Sequence, residues 1–117
     1  MKASRFCPKV KCLDGFEVSI QASDMHYCTP RTCDAFKYTE VELGYPSHPS
    51  GKIFIEDDLL LRPFAELDAD DNDMGIYHHV PVALVRELLA RHGGVASGGM
   101  PAGIYLNSAG YPVPELR

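Results

Sequence analysis

The apolar and polar positions of this chain alternate most regularly between residues 16 and 22. Phe16, Val18 and Ile20 occur at every second position, and polar side chains stand between them. A period of two over several residues is typical of a β-strand with one buried face. Because the turn-forming pair Asp14-Gly15 comes directly before this stretch, the pattern predicts a strand from Phe16 to Ala22.

Less regular patterns predict three more strands. The stretch 38–45 alternates again, and we expect Tyr45 to face inward together with the other apolar residues. Short apolar runs at residues 52–55 and 76–79 predict two further strands.

The clearest helical pattern runs from Pro81 to His92. Its apolar side chains recur at intervals of three and four residues, so they share one face of a helix. Pro81 suits the first helical position, because its missing amide would have no partner there, and Gly93-Gly94 supplies the end. A shorter helical segment, capped by Asp57 or Asp58, is expected earlier in the chain.

These elements predict an α+β fold in which a small antiparallel sheet of three to five strands packs against one main helix at about 81–92. A chain of 117 residues has the length of one domain, which we place at residues 1–94. Residues 95–117 are rich in glycine and proline and predict a C-terminal extension, either a small hairpin or a loosely tied segment.

The charge of the chain argues against nucleic acid as its main partner. The net charge is −5 and the pI about 5.4, whereas affinity for nucleic acid comes largely from neutralising phosphates. Acidic residues concentrate in the segment 56–73. That segment predicts either solvated loops or a surface that binds a basic partner. The aspartates assigned to this surface are Asp68, Asp70, Asp71 and Asp73.

Two features predict a cytoplasmic protein that does not enter membranes. The N-terminus has no apolar stretch of the kind found in signal peptides. The longest strongly apolar segment, Val80 to Val85, is far shorter than the roughly 20 residues that cross a bilayer. In the cytoplasm cysteines stay reduced.

The four cysteines form two Cys-x4-Cys pairs, Cys7 with Cys12 and Cys28 with Cys33. Two such pairs resemble the layout of a structural zinc site, although a four-residue spacer is at the wide limit of that pattern. Four cysteine ligands would leave no open position on the metal, so the role of a zinc ion would be structural. Free thiols and disulfides are the alternatives that the spacing leaves open.

Histidines supply the other candidate chemistry. His26 lies two residues before Cys28, where an imidazole could activate a thiol, complete a Cys3His zinc site or simply bond a turn. The adjacent His78 and His79 would point to opposite faces of a strand, so at most one could enter a given site. No phosphate-binding loop or nucleophile elbow occurs in the sequence, and no catalytic residue is assigned.

Three stretches resemble a family of small proteins from tailed phages and prophages. They are residues 14–31, which end in His-Tyr-Cys-Thr-Pro-Arg, residues 38–47, and residues 80–94, which begin Val-Pro-Val and end His-Gly-Gly. The resemblance covers most of residues 13–94. It implies a phage accessory protein and supplies no enzymatic activity.

The leading hypothesis is therefore a non-enzymatic, phage-encoded protein that binds a host protein, for example a defence inhibitor such as an anti-CRISPR. His26 and Arg31 are assigned to the partner-binding surface together with the four aspartates above. The alternative is a zinc-stabilised module with a regulatory role or a nucleic-acid contact through its basic end, Lys2 to Lys11. A thiol enzyme that uses Cys28 with His26 is the third hypothesis.

Overall fold

A computed structural model describes residues 6–51 and 53–114 of the chain. Lys2 and Arg5 of the basic end, Lys52 of the predicted strand at 52–55, and residues 115–117 lie outside the described residues. The strands are β1 (Val10–Cys12), β2 (Glu17–Gln21), β3 (Glu40–Ser47), β4 (Ala65–Leu67), β5 (Asp73–Pro81), β6 (Val95–Ser97), β7 (Tyr105–Leu106) and β8 (Pro112–Val113). The helices are α1 (Ile55–Leu61) and α2 (Val82–Arg91), and a single 3-10 turn (Arg62–Phe64) follows α1.

The fold is α+β, as predicted, and its main sheet is antiparallel throughout. Six strands lie in the order β4-β5-β3-β2-β1-β6, one more than the predicted upper bound of five, and β7 pairs with β8 in a separate two-stranded sheet. The strands that the sequence pattern missed, β1, β4 and β6, have three residues each, too few to display a period of two.

One hydrophobic core connects the sheet with both helices. The alternation in β2 is confirmed, because Val18 and Ile20 are buried while Glu17 and Ser19 are only partly covered. The largest fully buried apolar side chains are Val10, Phe16, Val18, Ile20, Val41, Leu43, Leu61, Val80, Val85, Leu88 and Leu89.

The prediction that Tyr45 faces inward is wrong, because β3 contains a bulge. Ser19 pairs with Gly44 and Glu17 with Ser47, so β3 has one residue more than β2 over this interval. Tyr45 adopts a left-handed backbone with a φ of 51°, and its side chain is exposed. An extra residue shifts every later side chain to the opposite face, which a strictly alternating pattern does not reveal.

Helix α2 confirms the predicted helix and carries Val85, Leu88 and Leu89 into the core. Pro81 lies just before the first turn as the N-cap residue, not within it as predicted, because its ψ of 138° is extended. The helix ends in the expected glycine region, where the Gly94 amide donates to the carbonyl oxygen of Leu89.

Helix α1 confirms the shorter helix predicted in this part of the chain, whereas Ile53 and Phe54 of the strand predicted at 52–55 belong to no strand. The helix begins at Ile55, and Phe54 is its N-cap residue without a side-chain hydrogen bond, so the predicted capping by Asp57 or Asp58 is wrong. Asp57 lies in the first turn and is buried. Its partners are distant in sequence, and for that reason a local capping pattern misassigned it.

The chain after residue 94 continues the fold. Strand β6 pairs with β1 in the main sheet, so the sheet extends past the domain boundary predicted at residue 94. Ile104 is buried with the core residues, and β7 and β8 form a small sheet behind it. Among the described residues, no helix has the length and apolar character required to cross a bilayer.

Candidate functional site: the recognition loop

The longest irregular segment among the described residues connects β2 to β3, and we name residues 23–38 the recognition loop. Two backbone contacts join it to the main sheet: an isolated bridge between Thr29 and Glu40, and a hydrogen bond from the His79 amide to the Tyr27 carbonyl oxygen. Loops of this length without regular structure are uncommon in small domains unless they have a function. Hydrogen bonds made by side chains of the loop itself determine its shape.

Ser23 and His26 close the first turn of the loop. His26 Nδ1 lies 2.7 Å from the hydroxyl oxygen of Ser23, and the Met25 amide donates to the same oxygen at 3.0 Å. His26 is buried, and the ring of Phe6 packs edge-on against its imidazole with centroids 5.3 Å apart. His26 was assigned to the partner-binding surface, and at 6% exposure it presents little of its side chain to solvent.

The Cys28 thiol faces backbone carbonyls of the loop. Its Sγ lies 3.2 Å from the Ser23 carbonyl oxygen and 3.4 Å from that of Pro30, both of them acceptors for the S–H. Burial raises the pKa of this thiol. Enzymes that use a cysteine for catalysis activate it with a lowered pKa and a base within reach, whereas the pKa of Cys28 is raised and the partner of His26 is Ser23. The geometry therefore gives no support to catalysis by Cys28 with His26.

Tyr38 closes the far end of the loop. Its hydroxyl donates to the Thr32 carbonyl oxygen at 2.5 Å and accepts from the Ala35 amide at 3.3 Å. Burial raises the pKa of Tyr38, so the hydroxyl keeps the proton that it donates. These two bonds span the backbone on both sides of Cys33 and define the turn that carries Phe36.

The outer surface of the loop carries large side chains. Phe36 is 96% exposed, and Met25 and Tyr27 are also exposed. The Arg31 guanidinium carbon lies 4.8 Å from the centroid of the Tyr27 ring, a cation–π contact. Sequence reasoning selected Arg31 but missed Phe36, because an apolar residue in a polar segment gives no periodic signal.

Tyr27 fastens the loop to the end of β5. Its ring stacks on His78 with centroids 4.1 Å apart and meets the His79 ring edge-on at 6.3 Å. The His79 amide donates to the Tyr27 carbonyl oxygen at 3.0 Å. The prediction that the two histidines face opposite sides is wrong, because β5 has a bulge here and His79 has a φ of 51°.

Acidic side chains surround this contact. His79 Nδ1 lies 3.2 Å from Glu40 Oε1, which also accepts from the Thr29 hydroxyl at 2.6 Å. His78 Nε2 lies 3.1 Å from Glu66 Oε1, within ion-pair distance. The angles at that pair do not satisfy a hydrogen bond, and the buried nitrogen is otherwise without a partner. We interpret the pair as an electrostatic contact only.

The predicted aspartates lie at the other end of β5. Asp73 begins the strand and His79 is six residues further, a separation on the order of 20 Å along a strand. The Asp68 carboxylate accepts from the amides of Asp70 and Asn72, which lowers its pKa. The turn at residues 68–72, which we name the acidic turn, therefore lies away from Arg31, although the sequence analysis assigned both to one surface.

The four cysteines are free thiols. Cys12 is buried in the core, where desolvation and the nearby Asp14 and Asp57 raise its pKa to about 12. Over residues 6–51 and 53–114, no group of three or more histidine, cysteine or acidic side chains is arranged to hold a metal ion. As placed, the thiols do not fit a shared tetrahedral site, and the zinc site stays a prediction.

Comparison with known families does not assign the chain. No family model, curated protein or solved structure matches it.

Proposed function

We propose that this protein acts by binding another protein through the recognition loop, with Phe36 as the central contact. The observation that carries the proposal is the 96% exposure of Phe36 on a turn that Tyr38 holds in place. An exposed phenyl ring contributes nothing to the packing of its own chain. Aromatic side chains of this kind dominate the affinity of protein interfaces when a partner covers them.

The internal bonds of the loop support this proposal. A flexible loop loses conformational entropy on binding, whereas a loop already held in one shape loses less. Ser23, Cys28 and Tyr38 each bond to other residues within the loop, and Tyr27 attaches it to β5. The exposed side chains are thus presented on a scaffold that is organised before any partner arrives.

The resemblance to phage proteins directs the choice of partner. Its most distinctive stretch, His26 to Arg31, lies within the recognition loop. We therefore propose a bacterial host protein as the partner and inhibition of a host defence, such as an anti-CRISPR activity, as the biological outcome. The exposed Asp70 and Asp71 remain candidates for a separate contact with a basic surface.

The test is a capture experiment with three forms of the full chain. Immobilised wild type, Phe36→Ala and Leu13→Ala are incubated with lysate of a bacterial host. Leu13 is the matched control, because it is an exposed apolar side chain on the turn after β1, outside the recognition loop. The proposal expects a protein that wild type and Leu13→Ala retain and Phe36→Ala does not.

The captured protein is then purified, and its affinity for the three forms is measured by titration calorimetry. Loss of a central aromatic contact should weaken binding by about 30-fold or more. Equal affinity for wild type and Phe36→Ala, or a dependence on Leu13 instead, would refute the role of the recognition loop.

A further inference from the structure

The recognition loop contains two of the four cysteines, and their thiols face the same turn. The Cys28 Sγ lies 3.2 Å from the Ser23 carbonyl oxygen, and the Cys33 thiol donates to Asp24 Oδ1 at 3.1 Å. The two sulfur atoms therefore contact consecutive residues of the chain. A negative charge on Cys33 adds to the effect of burial in raising the pKa of Cys28, as expected for neighbouring thiols.

We propose that Cys28 and Cys33 are a thiol–disulfide exchange site, at which a small-molecule disulfide such as oxidised glutathione closes a reversible bond within the loop. Cys33 is the entry point, because it is only half-buried, whereas Cys28 is buried. Any other disulfide in this chain would include Cys7 or Cys12, which lie outside the recognition loop.

The other two cysteines are poor candidates for exchange. Cys12 lies in the core, and its pKa of about 12 leaves almost no thiolate at neutral pH. The backbone of Cys7 is tied to β2, where its amide donates to Gln21 Oε1 at 2.7 Å and its carbonyl accepts from Gln21 Nε2 at 2.8 Å.

The exchange proceeds in two displacements. The Cys33 thiolate attacks one sulfur of the external disulfide, forms a mixed disulfide and releases one thiolate. The Cys28 thiolate then attacks Cys33 Sγ and releases the second. The two cysteines are oxidised, the external disulfide is reduced to two thiols, and those thiols take up the two protons that Cys28 and Cys33 lose.

Closing the bond requires the turn around Cys33 to move. A disulfide joins sulfur atoms about 2.05 Å apart, so Cys33 must leave Asp24 and approach Cys28. Its neighbours Thr32 and Asp34 are exposed, so their displacement uncovers little of the core. Phe36 lies three residues after Cys33 on the same turn. If Phe36 contacts a partner as in the proposed function, its position would therefore change when the disulfide forms.

The test follows the thiols of the full reduced chain after incubation with excess oxidised glutathione. Remaining thiols are blocked with an alkylating reagent, and intact mass and digested peptides are analysed by mass spectrometry. We expect a mass decrease of about 2 Da before blocking. The bond should map to Cys28 and Cys33, with Cys7 and Cys12 alkylated, and a thiol reductant should reverse it.

Variants separate this site from other outcomes. Cys28→Ser should accumulate the mixed disulfide on Cys33, and Cys7→Ser, the matched control, should form the same bond as wild type. Because Cys28 is buried and its replacement could impair folding, Cys33→Ser is the second variant, and it should form neither product. A bond between Cys7 and Cys28, a stable adduct on wild-type Cys33, or no disulfide would overturn the proposal.

Formation of the Cys28–Cys33 disulfide is expected to be independent of partner binding. Phe36→Ala retains both thiols and should form the disulfide as wild type does. A failure of the proposed function would therefore leave this outcome unchanged, and a failure of the exchange would leave the Phe36-dependent binding intact.

Discussion

His92 Nε2 lies 2.7 Å from Asp57 Oδ2, and both side chains are 2% exposed. On the opposite edge of the ring, His92 Nδ1 lies 2.6 Å from Asp14 Oδ2. Carboxylates only accept hydrogen bonds, so both contacts are satisfied when both ring nitrogens carry hydrogen. The His92 ring thereby joins the turn before β2, helix α1 and the end of α2.

Aromatic packing completes this arrangement. The Phe16 ring stacks on His92 with centroids 3.9 Å apart and an interplanar angle of 6°. Arg91 Nε lies 3.3 Å from the second oxygen of Asp57. The buried side chains of His92 and Asp57 thus both have polar partners, which polar groups need in order to be tolerated in a core.

Removing His92 should destabilise the fold strongly. His92→Ala leaves the buried Asp57 carboxylate without its closest partner, so we expect a loss of about 3 kcal/mol in the free energy of unfolding. Urea unfolding followed by circular dichroism measures it. Arg91→Ala is the control and should cost about 1 kcal/mol or less, because Arg91 is 38% exposed. Equal losses for both variants would contradict the central role of His92.

The stability of the protein should fall in acid through Asp14. Desolvation alone would raise the pKa of Asp14, but hydrogen bonds from His92 and the Phe16 amide outweigh it and lower the pKa. A carboxylate with a lowered folded-state pKa stabilises the fold above its unfolded pKa of about 3.9, and this contribution disappears as the pH falls through the folded value.

Asp14→Asn should therefore flatten the dependence of stability on pH below about pH 4. Urea midpoints of wild type and variant, measured between about pH 2 and pH 6, test this. Asp70→Asn is the control, because Asp70 is exposed on the acidic turn and its replacement should leave the wild-type slope unchanged. An identical acid slope in wild type and Asp14→Asn would count against the assigned contacts.

Gly98 should not tolerate a side chain. Its φ is 107°, and an added Cβ would lie 2.3 Å from the Lys9 carbonyl oxygen, a backbone atom of the neighbouring segment. We expect Gly98→Ala to cost about 3 kcal/mol, because β6 would have to move away from β1. Gly51 has a φ of 83° but open space around it, so Gly51→Ala isolates the conformational cost of about 1 kcal/mol. Thermal unfolding of both variants compares the two costs.

Tyr38→Phe should loosen the recognition loop without unfolding the protein. The variant keeps the ring but removes the hydroxyl that bonds Thr32 and Ala35, at a cost of about 1 kcal/mol. Amide hydrogen exchange should accelerate at Ala35, while Ile20 in β2 remains protected. Tyr111→Phe alters an exposed ring on the C-terminal hairpin and serves as the control. Unchanged exchange at Ala35 would show that the hydroxyl does not hold the turn.

The metal content of the purified protein should distinguish a four-cysteine zinc site from four free thiols. With Cys12 in the core and no metal-binding group among the described residues, we expect protein purified without chelator to contain well below about one zinc per chain. Native mass spectrometry and thiol titration provide the two measurements. One equivalent of zinc together with four unreactive thiols would instead support the site predicted from the cysteine spacing.

The recognition loop was only partly foreseeable. The stretch from His26 to Arg31 drew attention by its residues, and Arg31 is indeed exposed. Phe36 and the bond from Tyr38 could not be anticipated, since their importance depends on which atoms the folded loop brings together. His92 was predicted only as the end of a helix, because its partners, Asp14 and Asp57, are distant in the chain.

Local periodicity was sufficient for β2, most of β3 and α2, because burial of one face repeats every two residues in a strand and every three to four in a helix. Tertiary structure alone decided the bulges at Tyr45 and His79, the start of α1 at Ile55 without a side-chain cap, and the contacts of His92 with Asp14 and Asp57. Register, bulges and buried charge pairs depend on atoms from distant segments. Their energies come from contacts that exist only after the sheet and helices have packed.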